Sequence, residues 1–171
     1  MVFIAVGTQR QQFSRLFKIV DNSKMLSKKE IIAQAGFTKY NSNKITMLDF
    51  ISQEQLDDYI EKSEFVICHG GVGTIFSCLA KKKKVLVVPR LKKYKEHKND
   101  HQLEICKQLQ KEGYILFLEE NEDIDKKLQE LEKKKFKIYK NDAKYLEILK
   151  KVIWIFINFK KYIIIRIGDY S

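Results

Sequence analysis

Short apolar runs alternate along the chain with segments whose apolar residues recur every three or four positions. The runs predict buried strands over Val2–Val6, Ile31–Ala35, Ile45–Phe50, Phe65–Cys68, Val85–Val88 and Tyr114–Leu118. Helical spacing first occurs at Phe13, Leu16, Phe17 and Val20, which predicts an amphipathic helix between the first two strands. Strands that alternate with helices build right-handed βαβ units. The pattern therefore predicts an α/β fold with a Rossmann-like, mostly parallel sheet flanked by helices.

Capping residues and the same apolar spacing predict the remaining helices. They are expected after the capping-box pattern Ser52–Gln55, over Thr74–Ala80, from about Leu103 to Gly113, over Ile124–Leu131 and over Tyr145–Lys151. Residues 151–171 are apolar but interrupted by lysine and arginine, and no stretch reaches the ~20 apolar residues that span a bilayer. We predict a nucleotide-sugar-binding domain over residues 1–150. The tail over 151–171 would form a final helix on it, dock on a partner or lie at a membrane interface.

The chain is basic, with 33 lysines and arginines against 22 acidic residues and a net charge of +11. Such an excess favours an acidic partner: a nucleotide, a nucleic acid or an anionic membrane surface. Much of it lies in lysine runs such as Lys81–Lys84, which are typical of solvated faces. Because no nucleic-acid-binding motif accompanies these runs, we expect no nucleic-acid partner.

The three cysteines, Cys68, Cys78 and Cys106, form no CxxC pair and lie among apolar neighbours. This pattern predicts small buried side chains in a reducing compartment, with a catalytic thiol at Cys68 as the alternative. The apolar run that opens the chain has no basic leader and soon meets Gly7, unlike a secretory signal. We therefore expect a cytoplasmic protein.

The most distinctive segment begins where the run Phe65–Cys68 ends, with His69 and a turn that contains Gly70, Gly71 and Gly73. Glycines let backbone N–H groups approach an anion closely, and the N-terminus of the following helix attracts negative charge. The spacing matches neither the dinucleotide pattern GxGxxG nor the triphosphate pattern GxxxxGKS/T. The turn therefore predicts a phosphate site of another kind.

A second polar segment, Glu96–Gln102, follows the strand that ends near Pro89 and leads into a helix. Its His, Asn, Asp and Gln side chains supply donors and acceptors suited to sugar hydroxyls. Parallel α/β sheets bind ligands beyond the carboxyl ends of their strands, where Gly7–Thr8, His69–Thr74 and Pro89–Arg90 are all expected. Together these segments predict a nucleotide-sugar site on one edge of the sheet.

Five motifs follow one another in an order typical of one protein family. They are Val6-Gly-Thr-Gln9, Ile32-Ala-Gln-Ala-Gly36, Val66-Ile-Cys-His-Gly-Gly-Val-Gly-Thr74, Val88-Pro-Arg-Leu-Lys-Lys93 and Asn99-Asp-His-Gln-Leu-Glu104. In this series the chain, over roughly Met1 to Leu131, resembles the C-terminal domain of glycosyltransferase family 28. Within that family it is most similar to the small donor-binding subunits of bacterial two-component polysaccharide transferases, β-1,4-galactosyltransferases among them. The resemblance implies the C-terminal, donor-binding half of a GT-B enzyme that is divided between two chains.

By this resemblance the donor site comprises Gly7, Thr8, His69, Gly70, Gly71, Val72, Gly73, Thr74, Ser77, Arg90, His101 and Gln102. His69 and the glycine turn would hold the UDP diphosphate and stabilise it as it leaves, and His101 and Gln102 would contact the sugar. Many related enzymes bind the ribose hydroxyls with a glutamate where this chain has Ser77, and Glu104 is a possible substitute. From the residues alone, His69 capping its own turn, Asp100 capping a helix and Arg90 as a surface charge remain alternatives.

The resemblance also implies an activity: inverting transfer of a hexose from a UDP-sugar to a lipid-linked saccharide in cell-surface polysaccharide synthesis. Galactose is the expected hexose, with glucuronate and glucose as rivals. No acidic pair follows a strand, so we expect no metal, and no cofactor besides the donor. A membrane-associated partner subunit would supply the acceptor site and general base, and would hold this chain at the inner face of the plasma membrane. The alternative is a non-catalytic regulatory or scaffold subunit that binds a nucleotide sugar.

Overall fold

In the computed structural model, which describes residues 1–140, six short strands form one sheet. They are β1 (Val2–Ala5), β2 (Ile31–Gln34), β3 (Ile45–Leu48), β4 (Phe65–Cys68), β5 (Lys84–Val87) and β6 (Leu116–Phe117). Their order across the sheet is β3-β2-β1-β4-β5-β6, and every neighbouring pair is parallel. The predicted α/β architecture is confirmed. The helix expected over Tyr145–Lys151, the boundary at residue 150 and the tail lie outside the described residues.

The two central strands, β1 and β4, are buried along their whole length, which is why they contain only apolar residues. Ile4 lies opposite Ile67 and Ala5 opposite Cys68, so both strands end at the same level. Because all six strands run in one direction, the turns after them meet along one edge of the sheet, called the carboxyl edge below.

Residues 1–140 contain five α-helices, of which four connect successive strands and the fifth follows β6. They are α1 (Ser14–Asp21), α2 (Gln53–Lys62), α3 (Val72–Ala80), α4 (His101–Lys111) and α5 (Ile124–Lys133), and a short 3₁₀ helix covers Lys92–Tyr94. The predicted stripe of α1 is buried at Leu16, Phe17 and Val20. Helix α3 begins two residues earlier than the sequence predicts, because Gly71 is extended (φ −77°, ψ 124°) and acts as its N-cap residue.

The lysine run Lys81–Lys84 is only partly a solvated face. The Nζ of Lys83 donates to the carbonyl oxygens of Glu61 and Ser63, at 2.6 and 2.8 Å, where α2 ends. Lys84 donates in the same way to Leu131 and Glu132 in the last turn of α5, at 3.1 and 2.6 Å. Both cations lie where the partial negative charge of a helix C-terminus favours them. Part of the basic charge therefore holds helices rather than a partner.

Within residues 1–140, no helix is both long enough and apolar enough to cross a membrane.

Candidate functional site

A cavity of about 380 Å³ lies at the carboxyl edge of the sheet, beside the turns after β1, β3 and β4. Seven of the predicted residues line it: Gly7, Thr8, His69, Gly71, Gly73, Thr74 and Ser77. The other five predicted residues, Gly70, Val72, Arg90, His101 and Gln102, do not line it. The structure therefore brings the turn after β1 and the glycine turn together at the cavity. The turn after β5 and the start of α4 contribute no residue to its lining.

Helix α3 points its N-terminus into this cavity. No side chain caps it and its first turn contains no acidic residue. The first N–H groups of a helix have no partner within the helix, and its dipole adds positive potential there. A Cβ atom at Gly71 would lie 2.1 Å from Nε2 of His69, so only glycine fits between the ring and the helix. This N-terminus is suited to an anion such as a diphosphate.

His69 connects the glycine turn to β1. The residue is 7% exposed, and Nδ1 lies 3.2 Å from the carbonyl oxygen of Ala5. A carbonyl oxygen only accepts, so Nδ1 carries the proton. Burial, followed by the positive charge of Arg90, lowers the pKa of His69 to about 4.

The neutral His69 ring thus presents the lone pair of Nε2 towards Gly7 and Gly71. A Cβ atom at either glycine would meet that nitrogen. In this form Nε2 accepts a hydrogen bond, and it donates to a phosphate only after it takes up a proton. The alternative of a ring that caps its own turn is wrong, because the partner of Nδ1 lies in β1.

Gln34 lines the cavity too, and the sequence did not indicate it. It is 5% exposed at the end of β2. Its Oε1 accepts from the N–H of Gly7 at 3.0 Å, and its Nε2 donates to the carbonyl oxygens of Gly7 and Asp49 at 3.1 and 3.3 Å. Gly7 has a φ of +75°, and both of its peptide groups are held by this one side chain. A lone glutamine that closes an apolar strand was the available signal.

The loop after β3 and the start of α2 form the opposite side of the cavity, which sequence reasoning also missed. Phe50, Ile51, Ser52, Gln53 and Leu56 line it there. Phe50 is 52% exposed and packs edge-on against Phe37, with the ring centroids 4.9 Å apart. This exposed aromatic ring gives the cavity an apolar surface for a ligand.

Arg90 is fully buried, so the alternative of a surface charge is wrong. Its guanidinium group donates to the carbonyl oxygens of Val6 and Gln11, at 2.9 and 2.8 Å, and lies over the ring of Phe13. Glu96 accepts a further bond through its own carbonyl oxygen, at 3.2 Å. The guanidinium is therefore directed at backbone carbonyls and not at the cavity.

The start of α4 also differs from expectation. His101 and Gln102 are each 7% exposed, and Oε1 of Gln102 accepts from two backbone N–H groups. Burial lowers the pKa of His101, and the charge of His97 lowers it further. Asp100 occupies the N-cap position, but its carboxylate does not cap the helix and accepts instead from the N–H of Lys92 at 2.8 Å.

Ser77 lies on α3 and lines the cavity, and Glu104 does not. Glu104 pairs with Lys107 along α4 at 3.2 Å. Ribose binding by Ser77 remains a prediction.

All three cysteines are buried and unbridged. Burial raises the pKa of Cys68 well above its usual range, which leaves this thiol protonated and argues against it as a nucleophile. Among the described residues, no three His, Cys, Asp or Glu side chains are grouped as metal ligands.

Residues 1–153 match the family model of the glycosyltransferase family 28 C-terminal domain. The UDP-N-acetylglucosamine transferase subunit ALG13 of Homo sapiens is 32% identical over 68% of this chain and 11% of its own length. A Clostridium tetani enzyme, UDP-N-acetylglucosamine--N-acetylmuramyl-(pentapeptide) pyrophosphoryl-undecaprenol N-acetylglucosamine transferase, is 36% identical over 57% of this chain and 26% of its own length. The chain thus spans about a tenth to a quarter of the length of these relatives.

Two solved structures share the fold at 17% sequence identity. The glycosyltransferase SnogD from Streptomyces nogalater superposes with a TM-score of 0.53 over 90% of this chain and 38% of its own. A solution structure of ALG13 superposes with a TM-score of 0.57 over 86% of this chain and 93% of its own. Since the family model extends over all of the described residues, the chain belongs to the glycosyltransferase family 28 C-terminal domain family.

Proposed function

We propose that this chain is the donor-binding part of a UDP-sugar-dependent glycosyltransferase whose acceptor site lies on a separate polypeptide. The observation that carries the proposal is the uncapped N-terminus of α3, which lies at a cavity lined by Gly7 and by the glycine turn. Family membership supports a nucleotide diphosphate sugar as the ligand class of this proposed anion site. The word subunit in the name of one relative supports a divided enzyme.

In the proposed reaction, a hydroxyl of the acceptor attacks the anomeric carbon of the donor sugar. The new glycosidic bond forms as the bond to the UDP oxygen breaks, and the configuration inverts. The N–H groups of α3 stabilise the negative charge that develops on UDP, because they are already oriented before the reaction begins. The acceptor part supplies the general base that removes the hydroxyl proton.

For the donor sugar, N-acetylglucosamine replaces the galactose that the sequence resemblance favoured. Both curated relatives are named as N-acetylglucosamine transferases. The resemblance to galactose-transferring subunits of bacterial polysaccharide synthesis has no such support, and UDP-galactose becomes the competing ligand in the test.

The acceptor is proposed to be a lipid-linked saccharide that a membrane-associated partner presents. The Clostridium tetani relative has a pyrophosphoryl-undecaprenol acceptor in its name, which supports this class. The chain would then lie at the cytoplasmic face of a membrane through that partner.

Isothermal titration calorimetry of the full chain tests the proposal. UDP, UDP-N-acetylglucosamine, UDP-galactose and UDP-glucuronate are titrated with and without magnesium. We expect UDP to bind without magnesium and UDP-N-acetylglucosamine to bind more tightly than its competitors. Absence of UDP binding would overturn the proposal, and tighter binding of UDP-galactose would overturn only the choice of sugar.

Gly73→Ala is the matched site variant. A Cβ at Gly73 meets no atom within 4 Å, so the fold accommodates it, and alanine favours a helix over glycine by about 1 kcal/mol. The same methyl group projects where the diphosphate would approach α3. We expect unchanged or higher thermal stability together with at least about tenfold weaker UDP binding, or 1.4 kcal/mol.

A further inference from the structure

One side chain, Gln102, connects the turns after two neighbouring strands. Its Oε1 accepts from the N–H of Gly70, after β4, and from the N–H of Arg90, after β5, each at 3.0 Å. An amide oxygen has two lone pairs, and both are used here. The two N–H groups are buried, so losing this acceptor would leave both without a partner, which is unfavourable away from water.

Arg90 extends the connection to a third turn. Its N–H is held by Gln102, and its guanidinium group reaches the carbonyl oxygens of Val6 and Gln11 in the loop after β1. The strands β1, β4 and β5 are neighbours in the sheet. Two side chains thus join the three turns behind the cavity, and we call Gln102 and Arg90 the clasp.

Gln102 also packs tightly against the glycine turn. A Cβ atom at Gly70 would lie 2.6 Å from Cβ of Gln102, so α4 and this turn are in closest contact at that position. The next residue, Gly71, is the N-cap of α3. The contact between Gln102 and Gly70 therefore lies directly before the N-cap of α3.

We propose that Gln102 is a positioning residue, which holds the glycine turn in the geometry that binds the diphosphate. This inference rests on the proposed function, and it gives Gln102 a different role from direct contact with the donor sugar. Its oxygen is occupied by two backbone groups, and the residue does not line the cavity. A sugar contact would affect only ligands that contain a sugar, whereas a positioning role affects UDP itself.

The test compares Gln102→Met with Gln110→Met. Methionine keeps the length of glutamine and removes the amide oxygen. Gln110 is the matched control, because it lies on the same helix and its Oε1 also accepts from one backbone N–H, that of Phe117, at 3.0 Å. Gln110 does not line the cavity, so its substitution removes a backbone contact and leaves the glycine turn intact. UDP and UDP-N-acetylglucosamine are titrated into both variants and the unmodified chain.

We expect Gln102→Met to weaken UDP and UDP-N-acetylglucosamine by the same factor, about tenfold, or 1.4 kcal/mol. Gln110→Met should leave both affinities within about twofold. Loss confined to the sugar nucleotide would overturn the proposal in favour of a direct sugar contact. Equal affinities in the two variants would overturn it as well.

Amide hydrogen exchange gives a readout that needs no ligand. Gly70 and Arg90 should exchange faster in Gln102→Met than in Gln110→Met, and Gln102→Glu should restore protection because a carboxylate accepts from both N–H groups. If the unmodified chain does not bind UDP, the proposed function fails while the exchange data still test the clasp. If Gln102→Met does not fold, Gln102→Glu decides alone: unprotected Gly70 and Arg90 amides would overturn the proposal.

Discussion

Two helices, α2 and α3, have their N-termini at the same cavity, and they differ in how those N-termini are capped. Helix α2 has a complete capping box, in which Ser52 accepts from the N–H of Gln55 and the side chain of Gln55 accepts from the N–H of Ser52. Glu54 adds a negative charge to its first turn. Helix α3 has Gly71 as its N-cap residue, with no side-chain cap and no acidic residue in its first turn.

The difference favours α3 over α2 as the site of the proposed anion. A helix that satisfies its own N–H groups has little left to offer a ligand, and a carboxylate in the first turn already uses the dipole. An uncapped helix that starts with glycine is less stable by itself, and a bound diphosphate supplies the missing acceptors. The uncapped start of α3 therefore supports α3 as the side of the cavity that holds the proposed diphosphate.

The substitution with the largest expected effect on UDP affinity is Gly71→Ala. The new Cβ would lie 2.1 Å from Nε2 and 2.7 Å from Cε1 of His69, and the buried ring has little room to move. Displacing either the ring or the turn changes the direction of α3. We expect UDP affinity to fall by about a hundredfold, or 2.7 kcal/mol, in calorimetry. UDP affinity within about threefold of the unmodified chain would contradict the assignment of the anion to α3.

The second prediction concerns the stability of the protein at acid pH. It bears on the start of α3 because His69 packs against Gly71, the N-cap residue of that helix. The pKa of His69 lies at about 4 in the folded protein and near 6.5 when unfolded. As pH falls from 6.5 towards 4, the unfolded chain takes up a proton that the folded chain refuses, so stability decreases over this range and levels off below it. This difference corresponds to roughly 3 kcal/mol of unfolding free energy.

Urea unfolding of the unmodified chain and of His69→Gln, measured from pH 7 to pH 4, checks this expectation. The stability difference between the two proteins should narrow as pH falls, because only the unmodified chain carries the penalty. The lowered pKa of His101 acts in the same direction in both proteins and cancels. A difference that is constant with pH would show that His69 is not held neutral.

The glycine turn and the individual strands could be predicted from the sequence, because both depend on local patterns. A run such as Phe65–Cys68 is apolar since both faces of a central strand are buried, and the clustered glycines mark the turn after it. The pattern also identified the capping box of α2, which needs only residues three apart.

The clasp and Gln34 could not be predicted in the same way. Arg90 meets Val6 across 84 positions of the chain, and Gln34 meets Gly7 across 27. Such pairs depend on the order of strands in the sheet, which hydrophobic periodicity does not determine. The side-chain hydrogen bonds of Arg90 go to backbone carbonyls, which have no side-chain signature in the sequence.

Placing one negative charge on each helix tests the comparison directly. Thr74→Glu adds a carboxylate to the first turn of α3, with Thr74→Gln as its neutral control. Gln53→Glu does the same on α2, where the native glutamine is already the control. We expect Thr74→Glu to weaken UDP binding about tenfold relative to Thr74→Gln, and Gln53→Glu about twofold or less. Both effects should shrink as salt increases, and equal losses would mean that the two helices share the anion.

The smallest expected effect comes from Ser52→Ala. The change removes the side-chain acceptor for the N–H of Gln55, which lies 3.1 Å from Oγ of Ser52, and it should lower stability by about 1 kcal/mol. UDP affinity should stay within about twofold, because Glu54 still repels an anion from this turn. Chemical unfolding and calorimetry on the same preparation separate the two quantities. Tighter UDP binding after the cap is removed would mean that the cap alone keeps α2 from the phosphate, and the contrast with α3 would then rest on one hydroxyl group.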